Sequence, residues 1–312
     1  MQAVKRVIDS PERMIEVIRE YGIIPFFRCG VTGWSIEEMT APGCWFTDEE
    51  DGGTLGPWDW KIEAVREGDI AYGKYLGGKA AFATVEWYRE LMNWRRSIPK
   101  YRMALGESFK ASTSSEKLMK FLSPVALSAI KEAGALEARE LRLICSEAVT
   151  PAFLRSMGAK YKPLLSPGVK KGIMDSVVQF LQMGTWTVIG DIQRVYRGPD
   201  LHYNGWQRAS NTTPDELFGS MLGSSEAAGS ADTRGQADTA RASVQVGTAG
   251  TTGTSGLTAK AAAVPAWARR FEEATGAPET ISRSPEESRE RLISHIREFF
   301  PLADGKTLSK LI

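Results

Sequence analysis

Apolar positions recur at helical spacing over several stretches of the chain and alternate over a few short ones. From Glu12 to Tyr21, Met14, Ile15, Val17 and Ile18 form one face, and Gly22 ends the stretch, which predicts an amphipathic helix. Tyr72-Gly73-Lys74-Tyr75 and Lys79-Ala80-Ala81-Phe82 predict two short strands joined by a Gly77-Gly78 turn, followed by a helix over Trp87 to Arg96. Behind Ser114-Ser115-Glu116, the positions Leu118, Met119, Leu122, Ala126, Ala129 and Ile130 predict a long helix running to Gly134, kinked near Pro124. A second helix is expected over Glu137 to Cys145, with Leu141 and Ile144 inward. After an irregular stretch ending in Ser166-Pro167-Gly168, a third runs over about Val169 to Met183.

The third helix has two faces of different chemistry. Ile173, Val177, Phe180 and Leu181 fall at i, i+4, i+7 and i+8 and suit a core. Lys171, Asp175, Gln179 and Gln182 follow at spacings of four, four and three on another face. Burying such a row is costly, whereas amides and lysines can read base edges or hold phosphates. Thr185 to Ile189 then predicts a strand, and a loop at Arg197-Gly198-Pro199 turns it back into Tyr203 to Ala209. A helix followed at once by a β-hairpin is how a recognition helix and its wing are connected. The expected fold is therefore mixed α/β and mainly α, with a winged helix-turn-helix over residues 111–220.

Composition divides the rest. Residues 1–110 hold six of the nine tryptophans, Trp34, Trp45, Trp58, Trp60, Trp87 and Trp94; aromatics that dense either build a core or stack on bases. Residues 221–263 are dominated by Gly, Ser, Ala and Thr and are expected to be a disordered, flexible linker. Residues 264–312 predict a small helical unit. It would comprise a short helix over Pro265 to Phe271, a helix opened by Ser284-Pro285-Glu286-Glu287 with Leu292, Ile293, Ile296, Phe299 and Phe300 on one face up to Pro301, and a closing helix from Lys306. Such a tail either docks a protein partner or stabilises the body.

Charge adds placement rather than magnitude, since the net charge is only +1. Between Ala148 and Met174 there is no Asp or Glu, but there are Arg155, Lys160, Lys162, Lys170 and Lys171. Arg95 and Arg96, with Lys100 and Arg102, form a second basic run, and the predicted wing carries Arg194, Arg197 and Arg208, diluted by Asp191 and Asp200. These side chains are candidates for phosphate contacts on duplex DNA. The same elements also serve as a protein-docking module. Cys29, Cys44 and Cys145 are odd in number and scattered, which fits a reduced cytoplasm, and with two histidines a zinc site is not expected. No apolar run approaches the roughly 18 residues that span a bilayer, and the N-terminus does not have the pattern of a signal peptide.

Several short strings in order resemble bacterial AlkZ-related proteins: Gly22-Ile-Ile-Pro-Phe-Phe, Gly33-Trp-Ser-Ile-Glu-Glu, Gly56-Pro-Trp-Asp-Trp-Lys, Tyr72-Gly-Lys-Tyr, Lys79-Ala-Ala-Phe-Ala, Asn93-Trp-Arg-Arg, Leu181-Gln-Met and Ser284-Pro-Glu-Glu-Ser. These are relatives of the winged-helix DNA glycosylases that remove alkylated purines and unhook interstrand crosslinks. The resemblance implies tandem winged-helix motifs in a DNA-binding body, without metal or cofactor. In the active glycosylases a Gln-x-Gln or Gln-x-Asp motif after a Gly positions water near the anomeric carbon. Here the matching stretch is Gly22-Ile23-Ile24-Pro25-Phe26-Phe27, and neither proline nor phenylalanine performs that role. The resemblance thus implies either a DNA binder without the usual dyad or an enzyme with another acid. Asp59, between Trp58 and Trp60, is the first candidate; Glu37 and Glu38 are explained as first-turn helix acids.

Overall fold

The computed structural model describes residues 7–45, 56–199, 201–222 and 283–312. The stretch expected to be a linker lies, from residue 223 onward, outside the described residues, as does the short helix expected at Pro265 to Phe271.

One order of elements occurs twice. It begins with α1 (Pro11–Tyr21), β1 (Ile23–Pro25), α2 (Ile36–Met39), α3 (Pro57–Arg66), β2 (Ile70–Leu76) and β3 (Lys79–Thr84), whose strands form an antiparallel sheet ordered β1-β3-β2. Two helices, α4 (Val85–Ser97) and α5 (Pro99–Arg102), lead to the second set. That set runs α6 (Ser114–Ala133), β4 (Ala135–Glu137), α7 (Ala138–Glu147), the short α8 (Pro151–Met157) and α9 (Lys162–Leu165), α10 (Lys171–Met183), β5 (Val188–Arg197) and β6 (His202–Thr212). Its sheet is ordered β4-β6-β5, the same first-third-second arrangement. After α11 (Pro214–Phe218), the described chain resumes in α12 (Pro285–Phe299) and α13 (Gly305–Leu311). The fold is mixed α/β and mainly helical.

Local chemistry sets the element ends. Ser10 caps α1 by accepting the Arg13 N–H at 3.1 Å, and Gly22 closes it at φ +66. A Cβ at Gly22 would lie 2.2 Å from the Trp87 ring, so this position demands glycine on both counts. Thr113 and Glu116 form a capping box at the start of α6, which continues through Pro124 without ending. Ser284 and Glu287 form another at α12.

Two clusters of buried side chains hold the structure. One, built on α6, α7 and α10, includes Leu118, Leu122, Ala126, Ile130, Leu141, Val177 and Leu181. The other gathers the first sheet and α1 together with Val188, Ile189 and Ile192 of β5 and with Leu292, Ile293, Ile296, Leu308 and Leu311 of the tail. The tail's apolar face is therefore spent inside the molecule, chiefly against α4. His295 stacks on Trp87 at 3.7 Å between ring centroids, and Asn93 donates to the Ser288 hydroxyl at 2.8 Å. Buried Glu90 accepts from both Arg283 and Arg291. Leu311 accepts the Gly77 N–H at 3.0 Å, which ties the last helix to the first β-hairpin.

Candidate nucleic-acid interface and aromatic site

The acid-free segment between α7 and α10 is presented to solvent. Arg155 on α8, Lys160, Lys162 at the start of α9, Lys170 at the cap of α10 and Lys171 in its first turn are all exposed. Lys160 donates to the Ser114 hydroxyl at 3.1 Å, and Lys171 pairs with Asp175 one turn on at 2.7 Å. Exposed pairs of this kind contribute little and exchange readily for another anion. The basic residues of this segment are thus exposed along the stretch of chain that leads into α10.

The polar row along α10 divides in two. Lys171 and Asp175 face outward, whereas Gln179 and Gln182 face the first β-hairpin. Gln182, only 3% exposed, accepts the Lys74 N–H at 2.8 Å and donates to the Asn211 side-chain oxygen at 2.8 Å. The expectation that Gln182 faces a DNA groove is corrected here, and the reason is local. The β2–β3 pairing is irregular between Gly73 and Leu76, so the Lys74 N–H lies off the ladder and needs an acceptor. Gln179 comes so near the hairpin that a Cβ at Gly78 would lie 2.3 Å from its amide nitrogen. These two amides clamp one set of elements to the other.

Arg95 and Arg96 likewise do not form a phosphate-facing surface. Arg95, 6% exposed, donates to the carbonyls of Leu311 at 2.8 Å and Tyr75 at 3.4 Å, and to the Tyr101 hydroxyl at 3.2 Å. Arg96 donates to the Thr185 carbonyl at 2.9 Å and lies over the Trp186 ring. Burial pushes both guanidinium groups below their ordinary pKa. They lie on a helix whose neighbours come from the hairpin, α5, the strand preceding turn and the tail, so carbonyls rather than phosphates surround them.

Asp59 sits in a different environment from the basic segment. Its helix, α3, packs on α1 and on β5, and Asp59 is 2% exposed. One carboxylate oxygen accepts from the Tyr203 hydroxyl at 2.5 Å and from the Gln207 amide at 2.7 Å; the other lies 3.4 Å from Arg194. Burial and the bond to Asp59 push the Tyr203 hydroxyl up to about 12, so it remains a donor. Arg194 is thus tied to Asp59, while Arg197, exposed, lies over the Trp206 ring at 5.6 Å. The second hairpin is fastened further by the Trp58 indole N–H, which donates to the Gly205 carbonyl at 2.9 Å.

Two residues from Asp59, Lys61 occupies an aromatic setting. Its amine donates to the Trp58 carbonyl at 2.7 Å and lies 3.1 Å from the centroid of the Trp58 ring and 5.8 Å from that of Phe26. Phe26 continues through Phe27 and Trp45, with centroids 4.8 and 5.5 Å away. Lys61 is 4% exposed, and desolvation lowers its pKa to about 7 despite the nearby charge of Asp59. The structure therefore brings the Pro25-Phe26-Phe27 segment, Asp59 and Lys61 into one neighbourhood. Lys61 closes the Gly56-Pro-Trp-Asp-Trp-Lys string without being singled out there, and Tyr203 and Gln207 carry no motif that marks them in the sequence; Asp59 and Tyr203 are 144 residues apart. Among the described residues, no group of three or more His, Cys, Asp or Glu side chains is placed to hold a metal ion. No helix among them is long and apolar enough to cross a membrane.

A helix–strand–helix–helix–strand–strand order that recurs with two short helices inserted, with exposed basic residues before α10 and an aromatic neighbourhood around α3, defines the class of molecule. The chain matches the family described as AlkZ related over residues 8–237 and belongs to that family. No curated protein and no solved structure matches it.

Proposed function

We propose that the two sets of elements are tandem winged helix-turn-helix units and that the protein binds duplex DNA. The second unit supplies the contact surface. The observation that carries this reading is the exposed, acid-free basic segment from Arg155 to Lys171, which opens into the solvent-facing first turn of α10. Arg155, Lys160, Lys162, Lys170 and Lys171 hold phosphates there, and Arg197 extends the same function to the tip of the wing. Family membership supports the choice of DNA over a protein partner, because the AlkZ-related proteins that the sequence resembles are themselves relatives of DNA glycosylases. The described part of the tail, with its apolar face internal, stabilises the body.

The test is a gel shift on duplex DNA across a salt series. Binding that weakens linearly in log–log form with salt is expected. No binding at low salt overturns the reading.

A second reading, an active glycosylase that uses Asp59, is favoured by its place on the helix whose Trp58 and Lys61 lie against Phe26 of the segment matching the glycosylase motif. Its contacts with Tyr203, Gln207 and Arg194 instead give Asp59 a fastening role. Release of alkylated purine from damaged duplex, above the level of an Asp59→Asn variant, decides for the enzyme.

A further inference from the structure

Toward its tip, the β5–β6 hairpin is fastened to the body by one face. Arg194 and Gln207, paired across the two strands, turn toward α3 and meet Asp59. Successive side chains of a strand point to opposite faces, so Gln193, Trp206 and Arg208 lie on the other side. All three are exposed. Arg197, beyond the irregularity between Arg194 and Tyr196, joins them, because its guanidinium lies 5.6 Å from the centroid of the Trp206 ring.

Trp206, at 60%, is the one exposed tryptophan among the described residues. Tyr196 and Leu201 stand exposed on the same hairpin, so the indole is not an isolated apolar group at the surface. Its surroundings are cationic. From Ile192 to Arg208 the described residues include three arginines and no Asp or Glu; Asp200 lies outside the described residues. The chain beneath the ring is held on both sides. Gly205 accepts the Trp58 indole N–H at 2.9 Å, and Gln207 donates to Asp59 at 2.7 Å. A flat ring on a fixed strand loses little freedom when a ligand covers it.

A duplex offers this face its phosphates but keeps its bases stacked on one another. An unpaired strand offers phosphates and base faces together, and every base has a flat face. We propose that the outer face of the β5–β6 hairpin binds single-stranded DNA, with an unpaired base stacked on Trp206 and the flanking phosphates held by Arg197 and Arg208. This rests on the DNA-binding reading above, and takes from it only that the partner is DNA. An exposed cation–π contact is weak, so the Arg197 guanidinium moves to a phosphate as the base takes the ring.

The experiment titrates the full chain with fluorescein-labelled oligo-dT of about ten nucleotides and, separately, with a strand of equal length made of abasic residues. The abasic strand keeps the charge and has nothing to stack. Wild type is expected to bind oligo-dT about tenfold or more tighter than the abasic strand. Trp206→Ala removes that advantage and leaves the affinity for the abasic strand, the salt slope and the duplex gel shift unchanged. Trp206→Phe keeps a flat ring and retains most of the advantage. Both variants should unfold at the wild-type temperature, because the side chain is exposed. Equal wild-type affinity for the two strands, no binding of oligo-dT, or unchanged binding by Trp206→Ala overturns the platform. The duplex reading then still stands wherever the gel shift holds. Loss of the duplex gel shift at low salt, with Trp206-dependent binding of oligo-dT intact, overturns the duplex reading alone. A smaller sedimentation coefficient for Trp206→Ala, with its oligo-dT affinity unchanged, makes this face a contact between copies of the chain and also overturns the platform.

Discussion

The helices α3 and α10 hold the same place in two repeats of one element order, yet they face opposite surroundings. Helix α10 presents Lys171 and Asp175 to solvent and turns Gln179 and Gln182 inward; α3 buries Asp59, Trp60, Lys61, Ile62, Ala64 and Val65. The difference comes from neighbours. Helix α3 is covered by α1 and by β5 of the other set, whereas α10 packs on the first hairpin and leaves Lys171 and Gly172 of its first turn exposed. Position within a motif therefore does not decide which helix meets DNA. On the reading proposed above, exposure and charge do, and they point to the second set for binding while the first keeps a protected interior.

The sharpest way to break this contrast is to reverse the charge of the exposed segment. An Arg155→Glu, Lys160→Glu, Lys162→Glu variant is expected to lose about two to three orders of magnitude in duplex affinity near 0.1 M salt. Each phosphate contact releases roughly 0.9 counterion, so the log–log salt slope should shrink by about three. Circular dichroism and thermal unfolding should change little, because all three side chains are exposed. An unchanged slope in a folded variant would move the DNA-binding surface elsewhere.

The interior side of the comparison is tested next. Asp59→Ala is expected to cost about 2–3 kcal/mol in urea unfolding, because it leaves the Tyr203 hydroxyl, the Gln207 amide and Arg194 without their shared acceptor. Arg194 is partly exposed, which keeps the cost below that of a fully buried pair. A variant as stable as wild type but altered in base release would make Asp59 a working acid and not a fastener. A smaller loss, about 2 kcal/mol, is expected for Gln182→Leu, which strips the Lys74 N–H and the Asn211 amide of a partner. DNA affinity of the folded Gln182→Leu protein should match wild type. If affinity falls and stability does not, Gln182 returns to the groove.

What the sequence made legible is what neighbours in the chain decide. Gly22, Ser284 and Glu287 mark helix ends through contacts within four residues, and the Gly77-Gly78 turn marks the first hairpin. The third strand of the second sheet, β4, was not legible, because three residues carry no detectable alternation. Nor was the fate of the polar side chains, since their partners are distant: Gln182 meets Lys74 at a separation of 108 residues, and Arg95 meets Leu311 at 216. A polar row on a helix predicts solvent or DNA only when no neighbouring strand needs an acceptor. Here an irregular strand pairing supplied that need. Lys61 was hidden for the same reason, because its cover includes Phe26, 35 positions away by number.

The smallest expected effect concerns the pH dependence of the protected interior. Burial lowers Lys61 from the ordinary 10.5 to about 7 in the folded chain. Between those values the unfolded chain keeps a proton that the native one has released, so stability rises with pH across that window. Below about pH 7 both states are protonated and the native state bears the full cost of the buried charge. Asp59 on the same helix, Arg194 on β5 and Tyr203 on β6 surround this region, and Tyr203, raised to about 12, remains protonated throughout the range. Wild type is therefore expected to gain about 1–2 kcal/mol relative to Lys61→Met between pH 7 and pH 9, read from urea midpoints at matched ionic strength. A flat difference curve would mean that Lys61 keeps its charge over Trp58, and the contrast between a charged surface and a neutral interior would then rest on α10 alone.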